Sequence, residues 1–255
     1  MSNLRNDANL VAYYRFEADG TDETTNNFDL SAGGTPGFSA GKFGNGVDFN
    51  GNSRYKITNN LGIVGGAYAI SVWVKQDVAM SDYYGIVTNN ATTCNRDLFY
   101  TTDGVSPRGI FIRRNTSNGY STSHEVVDLG TTNWHHIVVC YDGSEIWHFL
   151  DGVESSHTAA TQEAGTASWS NKMWVGDLAS ENRAWNGLFD DLAIFSRALT
   201  DAEVAELYNS GTGAELETLV EAASNVKSVN GLARASVKSV KGLAIASVKS
   251  INGLA

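Results

Sequence analysis

Residues 135–152 read His135-His136-Ile137-Val138-Val139-Cys140-Tyr141-Asp142-Gly143-Ser144-Glu145-Ile146-Trp147-His148-Phe149-Leu150-Asp151-Gly152. Two apolar runs flank Asp142-Gly143, and a second Asp-Gly pair closes the second run. Glycine takes positive φ at little cost, so Asp-Gly between β-branched and aromatic runs signals a tight hairpin turn. The stretch predicts a strand over 135–141, a return over 145–150 and another turn at Asp151-Gly152.

Similar runs lie on both sides. Strands are expected over 10–16, 46–57 (broken at Asn50-Gly51-Asn52), 69–75, 84–88, 97–101, 109–114, 172–177 and 187–195. Within 69–75, Ile70, Val72 and Val74 point one way, and Ser71, Trp73 and Lys75 the other. With 26 glycines, 2 prolines and 42% apolar residues, the chain suits a hairpin-rich protein with a real core. Many strands with short turns and no helix between them predict an all-β, two-sheet antiparallel sandwich.

One helix follows the strands. Thr200-Asp201-Ala202-Glu203 fits a capping box, Val204, Leu207 and Tyr208 form an apolar stripe, and Gly211 is placed to stop it. A second helix is expected over 214–223, with Leu216, Leu219, Val220 and Ala223 on one face. Beyond it the chain repeats every 11 residues: Val226-Lys-Ser-Val-Asn-Gly-Leu-Ala, Val237-Lys-Ser-Val-Lys-Gly-Leu-Ala and Val248-Lys-Ser-Ile-Asn-Gly-Leu-Ala. The β-branched residues and Asn-Gly steps favour short strand-turn units that must stack on one another, on identical tails or on a partner. The residues expected in that assembly are Val226, Val229, Leu232, Val237, Val240, Leu243, Val248, Ile251 and Leu254. The organisation read from this is an N-terminal arm (1–8), a sandwich (9–211), a helical linker (212–223) and a repeat tail (224–255).

Charge divides the same way. The chain carries −10 overall, but residues 224–255 hold five Lys/Arg and no acid, which leaves 13 basic and 28 acidic residues before them. So acidic a body should repel nucleic acid, and five cations spread over the tail are a weak phosphate signal. No apolar run is long enough for a membrane span, and the first residues lack a signal-peptide core. Cys94 and Cys140 have no metal-binding spacing; whether they pair is left open.

The body resembles the laminin-G-like, concanavalin A-like jelly-roll domains in their bacterial and viral form. The resemblance rests on Leu10-Val11-Ala12-Tyr13-Tyr14-Arg15-Phe16, on Gly41-Lys42-Phe43-Gly44-Asn45-Gly46-Val47-Asp48-Phe49-Asn50-Gly51 and on Ile70-Ser71-Val72-Trp73-Val74-Lys75. It continues in Trp134 to Gly143, Leu150-Asp151-Gly152, Asn186 to Phe195 and Arg197 to Val204. It implies two curved sheets face to face, in a family whose members bind sugars or protein partners, some with calcium. The tail units resemble short repeats at the ends of bacteriophage structural proteins, which fits the missing signal peptide.

Catalysis is not expected. Glycosidases need two carboxyls about 5–10 Å apart across the scissile bond. The nearest look-alike, Glu17-Ala18-Asp19-Gly20-Thr21-Asp22, reads as a loop, and His135-His136 falls in a core strand. The acidic loop and the late Asp190-Asp191 suggest one structural calcium, with Glu17 and Asp190 as contributors, because calcium takes about six to eight oxygens. Trp73 and Trp134 sit in the family motifs and read as packing, while Trp147 is ambiguous. Trp169 and Trp185 lie in polar surroundings and are expected to be exposed for stacking on sugar rings, with Arg183 beside Trp185. Loops 76–84 (Tyr83, Tyr84) and 115–124 (Tyr120, His124) are expected to rim that site. The sequons at Asn90 and Asn115 are discounted without a signal peptide.

The expected protein is thus a non-catalytic binding module on a virion surface, made in the host cytoplasm. It would be held there by its repeats as a homo-oligomer, and would recognise glycans or a host surface. A purely structural decoration protein, a bacterial adhesin at the cell surface or outside the cell, and a glycoside-active enzyme are the alternatives.

Overall fold

The computed structural model describes residues 3–57, 61–63, 66–78, 83–89, 96–101, 109–116, 119–130, 133–159, 173–178 and 183–219, and short strand pairs within 228–244. The strands are β1 (Leu10–Tyr14), β2 (Ser31–Gly33), β3 (Gly37–Ala40), β4 (Asn45–Asn50), β5 (Arg54–Ile57), β6 (Tyr68–Gln76), β7 (Tyr83–Thr88), β8 (Arg96–Thr101), β9 (Gly109–Thr116) and β10 (Gly119–Val126). Then come β11 (His135–Tyr141), β12 (Glu145–Leu150), β13 (Val153–Ala159), β14 (Met173–Val175), β15 (Asn186–Phe195) and the helix α1 (Asp201–Tyr208).

Among the described residues these strands form two antiparallel sheets. The larger has eight strands in the order β13-β12-β11-β6-β15-β4-β3, with β1 also on β15; the smaller has seven in the order β10-β9-β8-β7-β14-β5-β2. The 135–152 hairpin is as read: Ile137 pairs with Leu150 and Tyr141 with Ile146. Asp142 Oδ1 caps the turn by accepting the amides of Ser144 and Glu145 at 2.7 and 2.8 Å. Asp151 and Gly152 both take positive φ, +52° and +76°, as a two-residue turn of the primed type needs.

The main core lies between the sheets. Ile70, Val72, Val74, Ile137, Val139 and Tyr141 of the larger sheet meet Tyr55, Ile57, Ile86, Val87, Leu98, Ile110 and Val175 of the smaller. The larger sheet is also covered on its other side. There Tyr13, Val138, Cys140, Ala193 and Phe195 pack under Val204 and Leu207 of α1, with Leu4, Leu199, Leu216 and Leu219. Double coverage explains why β1 and β15 are buried almost end to end, without alternation.

That second core moves the boundaries read from the sequence. Residues 3–8 and 212–219 are not arm and linker: Leu4, Leu216 and Leu219 are buried with the body, and the Arg5 amide donates to the Leu219 carbonyl at 3.1 Å. The helix expected over 214–223 is a single 3₁₀ turn, Leu216–Thr218, in its described part; residues 220–223 lie outside the described residues. A 3₁₀ turn eclipses positions three apart, which suits Leu216 and Leu219 to one apolar surface. Helix α1 has its capping box at Thr200 and Glu203, but stops before Gly211, at Asn209 in the left-handed region (φ +44°).

The first two tail repeats each contain a short antiparallel pair in the same register, Val229 opposite Leu232 and Val240 opposite Leu243. Val226, Val237, Val248, Ile251 and Leu254 lie outside the described residues.

Candidate functional site

Strands β5 and β14 alternate. Tyr55, Ile57, Met173 and Val175 point into the core, which puts Arg54, Lys56 and Trp174 on the other face, half-buried. Register places Trp174 directly opposite Lys56 on one side and Thr88 of β7 on the other. The Arg54 guanidinium lies 5.2 Å from the Trp174 ring centroid and forms an ion pair with Asp177. Asp177 is fully buried, and its carbonyl accepts the Thr88 hydroxyl at 2.8 Å. Among the described residues two buried polar atoms there have no hydrogen-bond partner, Asp177 Oδ1 and Trp174 Nε1.

The segment after β14 crosses β7. A Cβ on Gly85 would lie 2.1 Å from the Asp177 carbonyl carbon and oxygen, so only glycine admits this approach. The same segment sets Arg183 over the Tyr83 ring, 5.2 Å from its centroid, and the Arg183 carbonyl accepts the amides of Gly85 and Leu178 at 3.4 Å. Tyr83 and Arg183, both expected at the site, are therefore brought together.

The other expected contacts fare differently. Trp185 is not exposed: it is fully buried, with its ring 5.2 Å from Phe189 and its Nε1 donating to the Lys75 carbonyl at 3.2 Å. Its polar neighbours in sequence belong to the turn that delivers it inward. Tyr84 packs against the inter-sheet core. Tyr120 lies in β10 opposite Asn115 of β9, so most of 115–124 is a strand hairpin and not a loop. Trp169 lies outside the described residues. Missing from the expectations were Arg54, Lys56, Thr88, Trp174 and Asp177. The signal was present in Arg54-Tyr55-Lys56-Ile57 and Met173-Trp174-Val175, where alternation puts the polar or amphipathic residue opposite the apolar ones.

The acidic residues serve the backbone. Glu17 accepts the Asn45 amide at 3.0 Å and Asp190 the Phe43 amide at 2.8 Å, so the two carboxylates named for calcium hold the 41–46 loop from two sides. Among the described residues no three His, Cys, Asp or Glu side chains gather where a metal ion could sit. Asp22 accepts the amides of Tyr13, Thr24 and Phe28. His136 stacks on Trp73 at 4.9 Å, and burial, with Lys42 nearby, pushes its pKa down to about 3. Burial pushes the carboxyls of Asp190 and Asp191 up to about 8 and about 7. Such values suit a general acid, but both side chains are buried in the fold and bound to amides.

The sequence profile of the concanavalin A-like lectin/glucanases superfamily matches residues 49–205. The chain belongs to this superfamily. Solved structures agree with the fold of this lectin-like protein. Domain 4 of AbnA, a GH43 extracellular arabinanase from Geobacillus stearothermophilus in complex with arabinotriose, is 20% identical, with a TM-score of 0.63 over 82% of this chain and 100% of that one. The binding domain of Paraclostridial Mosquitocidal Protein 1 is 18% identical, with a TM-score of 0.68 over 82% of this chain and 53% of that one. The binding domain of botulinum neurotoxin DC in complex with rat synaptotagmin II is 13% identical, with a TM-score of 0.66 over 79% and 52%. This chain thus spans all of the arabinanase domain and about half of the toxin binding domains. No curated protein sequence matches it.

Proposed function

We propose that this lectin-like protein is a non-catalytic binding module that recognises glycans or a host surface through the outer face of its smaller sheet. The observation that carries the reading is the half-buried Trp174 ring, capped by the partly exposed Arg54 and faced by Lys56. A flat ring beside hydrogen-bonding groups is the standard chemistry of a sugar subsite. Neighbours of the same fold support a binding role, one being a domain solved with arabinotriose and another a toxin binding domain solved with rat synaptotagmin II. Against catalysis stands the engagement of Asp22, Asp190 and Asp191 with backbone amides.

The tail completes the proposal. Its basic, apolar repeats anchor the module as a homo-oligomer on a virion, with the body projecting outward. The matching pairs Val229–Leu232 and Val240–Leu243 support a repeated structural unit.

A glycan array probed with the full chain and with Trp174→Ala tests the binding role. Binding that the substitution removes supports it; an array blank for both leaves the module a structural decoration protein.

A further inference from the structure

One edge of the sandwich is open. On one side the outermost strands of the two sheets, β13 and β10, lie against each other. On the other side the larger sheet ends in β3, Gly37-Phe38-Ser39-Ala40, which is mostly exposed. The Gly41 amide donates to the Gly44 carbonyl at 3.0 Å across the turn into β4. Bonded pairs alternate along an antiparallel ladder, so Gly37 and Ser39 turn their amides and carbonyls to β4, while Phe38 and Ala40 turn theirs outward. Among the described residues no strand pairs with that outer side. Proteins blunt such edges with charged side chains, proline or a bulge. β3 has none of these: its four residues are uncharged and its register with β4 is unbroken.

The tail has the opposite deficit. Its described pairs, Ser228–Val229 with Leu232–Ala233 and Ser239–Val240 with Leu243–Ala244, have two residues per strand and form sheets of their own. A two-stranded hairpin is marginal in water without a third strand or an apolar surface. Each repeat opens with four residues, Val226-Lys227-Ser228-Val229, Val237-Lys238-Ser239-Val240 and Val248-Lys249-Ser250-Ile251, which is the length of β3. Charge matches as well. Beside β3, Asp48 and Asp77 share one cation, Lys75, which lies 3.6 Å from Asp77. The Asp48 carboxyl, hydrogen-bonded to Ser39 of β3, is pushed above the ordinary carboxylate range by burial and by Asp77. Each four-residue run carries a lysine, and residues 224–255 carry no acid.

We infer that β3 is the receiving edge of a head-to-tail contact between copies of this chain, in which a Val-Lys-Ser-Val/Ile run from the tail of one copy pairs with β3 of the next. The inference rests on the reading that the tail holds a homo-oligomer, and it names the surface the tail uses. Within one chain the described tail pairs stay separate from the larger sheet, which leaves the edge to another copy. The incoming run gains main-chain hydrogen bonds to Phe38 and Ala40, as in strand addition to any open sheet edge. Its lysine meets Asp48 and Asp77. The contact uses different surfaces on the two copies, so it propagates until it closes into a ring or continues as a filament.

Sedimentation of the full chain tests this. Ala40→Pro removes an outward amide without touching the bonds to β4, a substitution that edge strands accept. Asp48→Lys repels the tail lysine and leaves the backbone alone, which covers the case that proline disturbs the strand. A third variant, Val229→Asp with Val240→Asp and Ile251→Asp, disables the tail and keeps the edge. Each should raise the dissociation constant of the assembly roughly ten-fold or more, at unchanged circular dichroism. Mixed one to one, Ala40→Pro and the tail variant should form a heterodimer and stop there, because the first supplies the tail and the second the edge. A mixture that stays monomeric overturns the inference, as docking of each tail on its own body would produce. If Ala40→Pro and Asp48→Lys both assemble like the parent, the edge is refuted and the tail reading stands. If the tail variant assembles like the parent, or the parent itself is monomeric, the tail reading falls and takes the inference with it.

Discussion

The Tyr13 hydroxyl donates to Asp191 Oδ1 across 2.5 Å, at the bulge where β15 exchanges its pairing with β4 for β1. Asp191 takes positive φ there, +49°, and its other oxygen accepts the Leu216 amide at 3.2 Å. One carboxyl thus ties the first strand to the last and both to the C-terminal turn. Tyr13→Phe removes the short bond and leaves a buried oxygen unpaired. It should cost about 1–3 kcal/mol, read as a lower urea midpoint at unchanged slope.

Asp190 and Asp191 set a pH dependence. Both are shifted upward, mainly by burial, so the folded state holds protons that the unfolded chain has already released. The stability this gives is complete below the unfolded carboxyl value near 4 and is lost as pH rises toward about 7 and about 8. Melting temperature should therefore fall between pH 5 and pH 8. Asp190→Asn keeps an acceptor for the Phe43 amide but cannot ionise, and should flatten the slope; an unchanged slope would assign it to other groups.

His135 and Asp151 act in the opposite sense from one another. The His135 ring nitrogen lies 2.9 Å from Asp151 Oδ2, and this bond, more than burial opposes it, raises the histidine. Burial alone would raise Asp151, but the His135 ring and the His136 amide hold it below its ordinary value. The histidine contribution is present below its unfolded value of about 6.5 and is lost as pH rises above its folded one; the aspartate contribution is lost in acid. Asp151→Asn should cost about 1 kcal/mol near pH 6 and less near pH 9. An NMR titration should show the His135 pKa falling in the variant.

Two tryptophans should separate stability from binding. Trp185→Ala empties a fully buried position and should cost about 3–5 kcal/mol, with binding lost only through unfolding. Trp174→Ala alters a half-buried ring on the sheet surface. Its melting point should stay near that of the parent while glycan binding is lost, as a thermal-shift assay paired with the array would show.

Much of the fold was legible because its signals are local. Asp142-Gly143 with its flanking runs, the Thr200–Glu203 capping box and the alternation of Ile70, Val72 and Val74 each act within a few residues. Short or edge strands such as β2 (Ser-Ala-Gly) and β3 (Gly-Phe-Ser-Ala) were missed because exposed small residues leave little periodic signal. Trp185 was misplaced because the polarity of neighbouring residues describes the turn, whereas the direction of one side chain follows from the register of the strand it enters.

The sequence alone determined that two apolar-faced sheets would form, that a capped helix would follow them and that a basic repeat would trail behind. Which strands became neighbours was decided only in three dimensions. Lys56, Trp174 and Thr88 come from distant parts of the chain and meet through hydrogen-bonded register. The covering of one sheet by α1, Leu4 and Leu216 shows in the sequence only as lost alternation in β1 and β15, which does not say what covers them. Periodicity records which face of a strand is apolar; what that face meets depends on how remote segments share a core.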